Sequence, residues 1–237
     1  MNTLDILWLS WPWIGFGGGI VLLLFLCFSD ALRSKPETPR LRDPVWLSWM
    51  MVVAYLIHVC EEYGMHITNS EFELIRSFLD MGVDKMFGGI PLAFFPAVNI
   101  CLTWIALPVA AVISRKNTVI GLSGIGFLLV NGITHLGSIF TGNFNPLTSP
   151  GSVSGIFIFL PLFVWTVIVC SKDKLLPRKG LAIAITSGAI AHALLFVLYV
   201  INKFAGQVTM MICIPIVAFS PLIISWLLCK ALKIKNN

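Results

Sequence analysis

Apolar runs of about 20 residues recur along this chain, and that recurrence decides most of what it can fold into. A helix rises about 1.5 Å per residue, so each run reaches across the roughly 30 Å of hydrocarbon in a bilayer. Backbone polar groups find no water there, so a spanning segment has to bond internally, as a helix does. The runs fall at residues 6–28, 45–63, 89–113, 118–140, 153–170, 180–201 and 208–229. Of 237 residues, 57% are hydrophobic and 11% charged, where a soluble domain carries about 25% charge. The expected fold is all-α: one polytopic transmembrane bundle over residues 1–237, with about seven spanning helices and no soluble module. The net charge of +5 is spread over short loops rather than gathered in a patch. That excludes nucleic acid as the expected partner and leaves membrane lipid.

Loop charge predicts the orientation. Of the 16 Lys and Arg, 13 fall on the side that holds the loop 30–44, the loop 114–117, the loop 171–179 and the tail. With seven spans, this bias places the N-terminus outside and the C-terminus in the cytoplasm. Met1 to Asp5 has no positive stretch before the first run, which is therefore expected to stay as a helix. Gly15, Gly17, Gly18 and Gly19 would let a neighbouring backbone approach. Trp46 and Trp49 suit an interfacial belt. Residues 65–87 are more polar. Phe72, Ile75, Phe78 and Leu79 keep helical spacing among Glu71, Glu73, Arg76 and Asp80, which predicts an amphipathic helix on the membrane surface. The six cysteines form no CxxC pair and read as free thiols in apolar surroundings.

Against this background, Tyr55-Leu-Ile-His58-Val-Cys60-Glu61-Glu62-Tyr63 stands out. Ionisable groups in a spanning helix are costly and mark a function or a partner. With His58 at zero on the helical wheel, Glu61 falls near about −60° and Glu62 near about +40°, so all three share one edge. The pattern places a ligand at i, a base at i+3 and a second ligand at i+4, as in the inverted His-x-x-Glu-His zinc motif with Glu in the last position. On this reading His58 and Glu62 bind a metal and Glu61 activates its water. Counted from the cytoplasmic ends of their spans, His58, His135 and His192 lie at roughly 20, 26 and 18 Å. Three helices thus offer imidazole at similar depth in the outer half of the bilayer. His135 is the third expected ligand, and His192 a spare ligand or proton-transfer group. Asn131, one turn before His135, is expected to orient a ligand or the substrate. Asn99 and Thr103 are expected to line the site. His66 lies in the polar segment and is expected to be solvated.

His58-Val-Cys60-Glu61-Glu62 and Asn131-Gly-Ile-Thr-His135 resemble the two signatures of the HXXEE-motif membrane proteins, a mainly bacterial and largely uncharacterised family. Ser149-Pro150-Gly151 and Leu160-Pro161 are similar to its next segment. The family's His-x-x-x-Tyr element has no counterpart, since Ile139 follows His135 and Phe196 follows His192 at that spacing. The resemblance implies a bacterial cell-membrane protein suspected of enzymatic activity and supplies no substrate.

The function expected is that of a metal-dependent membrane enzyme, a hydrolase acting on a lipid or a membrane-embedded amide or ester. Its cofactor is a divalent ion, with zinc favoured by the imidazole and carboxylate donors. A proton-coupled transporter or proton relay would use the same residues.

Overall fold

A computed structural model of the chain describes residues 3–65, 67–68, 71–72, 82–140 and 149–234. Among the described residues, six helices are long and apolar enough to cross a membrane. They are α1 (Thr3–Phe28), α2 (Pro44–Met65), α3 (Phe94–Ile113), α4 (Thr118–Gly137), α5 (Ser152–Lys172) and α6 (Arg178–Ala231). α2 is innermost: 78% of its most apolar stretch is buried, against 28% for α1. The helix that carries the ionisable triplet is thus the one most enclosed by the others.

α2 starts where it does because Asp43 caps it and Pro44 opens its first turn. One carboxylate oxygen of Asp43 accepts from the Val45 and Trp46 N–H groups at 2.9 and 3.1 Å. The other accepts from the Ser34 N–H and hydroxyl, both at 2.7 Å. Trp46 does not anchor at the interface; it is buried, and its indole N–H donates to the Leu26 carbonyl at 3.0 Å.

Glycine sets how α4 meets α6. A Cβ on Gly126 would stand 2.0 Å from the Ile185 carbonyl oxygen, and one on Gly188 would stand 2.5 Å from that of Ser123. The two backbones therefore touch, as small residues allow in a membrane. Of the expected α1 glycines, Gly19 lies against Leu56 and Gly15 against Trp104, whereas Gly17 and Gly18 meet nothing.

α6 runs for 54 residues with one non-helical residue, Gly206, at φ 84° and ψ 166°. A straight helix of that length would be roughly 80 Å long. Yet Arg178 and Leu181 at its start line one cavity with Lys233 and Ile234 just past its end. The chain therefore doubles back at Gly206, a residue without the Cβ that makes positive φ costly.

Of residues 65–87, where a surface helix is expected, 65, 67–68, 71–72 and 82–87 are described. Ile67 pairs with Phe72 and Thr68 with Glu71 in a short antiparallel ladder, and a single helical turn follows at Val83–Met86. β-branched Ile67 and Thr68 favour extended backbone, and Asn69-Ser70 between the strands is turn chemistry in the sequence. His66, Glu73, Ile75, Arg76, Phe78, Leu79 and Asp80 lie outside the described residues. All six cysteines are free; Cys60, Cys170 and Cys229 are buried, and Cys27 is exposed.

Three helices carry a widened, π-type turn: Cys60–Met65 in α2, Ile100–Ala106 in α3 and Gly155–Phe159 in α5. Such turns recur at functional sites. Each of these bears or adjoins a residue of the site described next.

Candidate functional site

Glu62 sits in the wide turn of α2, one turn beyond His58, and faces His135 of α4. Its Oε1 lies 3.3 Å from His58 Nε2 and 3.4 Å from His135 Nε2. One ligand atom from each of the three residues falls within 4.8 Å of the others, a group that could hold a metal ion. His58 is almost fully enclosed, while Glu62 and His135 keep 13% and 14% of their side chains exposed.

The His58 ring is held on every side. Its Nδ1 lies 2.8 Å from the Ser154 hydroxyl, and that hydroxyl donates to the Gly151 carbonyl at 3.4 Å. Ser154 therefore accepts from Nδ1–H, which leaves the lone pair on Nε2. The Asn131 amide nitrogen lies 3.3 Å from the same Nε2. The ring of Phe159, in the wide turn of α5, packs with its centroid 4.4 Å from the imidazole.

Glu61 does not share this site. Its two oxygens accept from the Val153 and Ser154 N–H groups at 2.8 and 2.7 Å. Those are free donors of the first turn of α5, where the helix dipole also favours a carboxylate. The expected role of Glu61 as the base on a metal-held water does not match this geometry. The residue anchors α5 to α2, and in doing so positions Ser154 on His58.

Gly151 closes the site from above. It has φ 74°, and a Cβ there would stand 2.6 Å from Glu62 Cγ, 2.7 Å from His58 Cε1 and 2.8 Å from His135 Cε1. A Cβ on Gly155 would meet His135 Cδ2 at 2.8 Å. The segment that opens α5 can reach the three ligand-type residues only because both positions lack side chains.

Beside the triplet lies a cavity of about 310 Å³, into which Glu62, His135, Asn131, Asn99 and Tyr55 open. His192 lines it too, with its ring 5.9 Å from Phe127, but it is not one of the three grouped residues. The structure thus brings His58, Glu62, His135 and Asn131 together and leaves His192 on the cavity wall. Thr103 is no lining residue: it is fully buried, and its hydroxyl donates to the Asn99 carbonyl at 2.7 Å.

Sequence reasoning missed Ser154, Gly151, Gly155 and Tyr55. Tyr55 had a signal, three residues before His58 on the same helical face. The other three lie at the start of α5 or just before it, and their place over the imidazoles follows from the fold rather than from spacing.

No curated protein and no solved structure matches the chain. Residues 49–166 match the family described as "Protein of unknown function with HXXEE motif", a stretch that holds His58, Glu61, Glu62, Asn131, His135 and Ser154, and it is to this family that the chain belongs.

Proposed function

We propose that the chain is a metal-dependent membrane enzyme, a hydrolase of an ester or amide bond in a lipid or another membrane-embedded substrate. His58, Glu62 and His135 hold a divalent ion, with zinc favoured by two imidazoles and one carboxylate that leave a position open. α6 contributes two crossings joined at Gly206, so the chain crosses seven times, with its N-terminus outside and its basic tail in the cytoplasm. The doubling back of α6 and the distribution of Lys and Arg support that topology.

One observation carries the metal reading. Charge-assisted hydrogen bonds between imidazole and carboxylate close to about 2.7–2.9 Å. The contacts of 3.3 and 3.4 Å on Glu62 Oε1 are longer. Ligands at about 2.0–2.1 Å from a tetrahedral ion stand about 3.3–3.4 Å apart, the spacing of Glu62 Oε1 from each imidazole, and the three ligand atoms lie within 4.8 Å of one another. The Ser154 hydroxyl on Nδ1 adds the orienting contact that ligand histidines usually have. Among the described residues, no Lys or Arg pairs with Glu62, so its charge inside the bilayer lacks a formal partner.

A divalent ion held there supplies Lewis acidity and lowers the proton affinity of a water at its open position. The protein's own groups do the rest. Ser154 and Asn131 fix the His58 ring, Glu61 holds α5 in place, and Gly151 shields the site from bulk water. With Glu61 engaged by backbone, His192 is the remaining imidazole on the wall that can take up a proton. A carboxylate shared between two imidazoles also suits a proton relay, which becomes the better reading if the protein holds no metal.

The test is elemental analysis of detergent-purified protein that elutes as a folded species. Wild type is expected to carry one equivalent of a transition metal, and His58→Ala about tenfold less or lower. Folded wild type without metal overturns the proposal.

A further inference from the structure

We infer that the cavity beside His135 receives an uncharged acyl lipid, which arrives sideways from the bilayer past Thr134 and Phe196, and that the Tyr55 hydroxyl meets the lipid's ester or amide carbonyl. This inference rests on reading the site as one that acts on a lipid linkage.

Tyr55 is the first observation. It lies on the face of α2 that carries His58 and Glu62, is buried to 3% exposure, and borders the cavity. Its hydroxyl has no hydrogen-bond partner among the described residues by geometry, and the Asn131 side chain lies near it at the cavity edge. Phe159 and Phe127 enclose the ring, with centroids 4.6 and 6.2 Å away, so the hydroxyl is held in place. Buried hydroxyls are nearly always bonded. A donor left open at a cavity edge, on the helix that carries the triplet, is a place for a substrate acceptor.

The cavity wall is the second observation. Phe94, Phe95, Val98 and Leu195 make most of it apolar, as a hydrocarbon chain requires. Among the described residues it contains Glu62 and no Lys or Arg. On the metal reading the ion offsets Glu62, and a phosphate or free carboxylate finds no cationic side chain on the described wall to pair with. A cationic head is no better matched, because on the metal reading the Glu62 charge is already shared with the imidazoles and their ion. A neutral linkage with a carbonyl fits both the wall and the open donor.

The third is the way in. Phe196 borders the cavity yet is 62% exposed, whereas Tyr199, one turn on, is 8% exposed. Thr134 on α4 is exposed as well, its hydroxyl turned back to the Asn131 carbonyl at 2.7 Å. Both residues lie within spanning helices, so the gap between them faces hydrocarbon rather than water. At about 310 Å³ the cavity is at the small end of ligand sites. It takes the linkage and the nearby chain, and the rest of the chain trails past Phe196 into the bilayer.

The test uses the full chain in lipid nanodiscs with two photoreactive probes that share one diazirine-bearing acyl chain: a monoacylglycerol and a phosphatidylglycerol. Sites of attachment are mapped by mass spectrometry, and metal is measured on the same preparation. The monoacylglycerol is expected to label Phe95, Val98 and Leu195 about fivefold more than the phosphatidylglycerol does. Leu195→Trp, which fills the cavity, should remove most of that labelling. Tyr55→Phe should lower it about threefold with metal content unchanged. Equal labelling of the wall by both probes overturns the inference, as does a folded Tyr55→Phe that labels like wild type. The comparison of probes on wild type needs no variant, so a variant that fails to fold does not remove the test. Selective labelling of a metal-free protein upholds the pocket and overturns the metal. Metal-loaded protein that does not label does the reverse.

Discussion

The two ends of α2 bury acidic side chains in different ways. At the Pro44 end, Asp43 is fully buried, and four donors from Ser34, Val45 and Trp46 use its two oxygens. At the other end Glu61 follows the same pattern, with its oxygens on two backbone N–H groups of α5. Glu62, one residue on, does not. Its Oε1 faces two imidazole nitrogens at 3.3 and 3.4 Å, and it borders a cavity. A carboxylate whose acceptors are taken up at a helix start is part of the framework, and the dipole there favours its charge. A carboxylate that faces imidazoles beside a cavity has its partners in side chains that can also bind a ligand or a proton. Two adjacent glutamates of one motif thus fall into different classes, and the difference lies in their partners, not in their depth.

The largest effect is expected at the framework end. Asp43→Ala leaves several buried donors without an acceptor and should cost about 3–5 kcal/mol, read as a lower midpoint of thermal unfolding in detergent. Protein that stays folded should keep its metal. Glu61→Gln comes next. It preserves shape but turns an NH₂ donor toward the Val153 or Ser154 N–H, for a loss of about 2–3 kcal/mol. Glu62→Gln should do the opposite: in metal-free protein it shifts stability by less than about 1 kcal/mol, because removal of a buried charge offsets the lost contacts, while bound metal disappears. If Glu62→Gln melts the protein as Glu61→Gln does, the contrast between the two glutamates is void. Gly151→Ala should cost less stability than Glu61→Gln. Positive φ there costs an L-residue about 1–2 kcal/mol. Its Cβ would push on Glu62, His58 and His135 together, so metal should fall more than stability does.

What the sequence disclosed follows from which forces are periodic. Spans are legible because hydrocarbon demands long apolar runs, and the gap between residues 201 and 208 encloses the bend at Gly206. His58, Glu62 and His135 are legible because helical spacing and depth are simple geometry, and the fold does bring them together. The destination of Glu61 is not legible. Its partners lie more than 90 residues away and are backbone N–H groups, which every residue but proline has. Nor are the wide turns, which shift the faces of α2, α3 and α5 with no mark in composition. Phe72, the first apolar residue of the expected surface helix, pairs instead with Ile67 in a short ladder, where β-branched Ile67 and Thr68 favour extended backbone.

Thr103 gives the smallest expected effect and a sharp boundary. Spacing alone puts it beside Asn99 on α3, and both would then face the cavity. Asn99 does border it, whereas Thr103 is buried, with its hydroxyl on the Asn99 carbonyl one turn back. A threonine that bonds to its own helix competes with the backbone ladder and adds little stability. Thr103→Val should therefore change stability by no more than about 0.5 kcal/mol, and leave metal content and lipid labelling as in wild type. Asn99→Leu, which removes a polar group from the wall, should alter the labelling and spare the metal. If Thr103→Val instead lowers metal content, the wide turn at Ile100–Ala106 transmits to the Glu62 site, and the separation of framework from site drawn along α2 does not extend to α3.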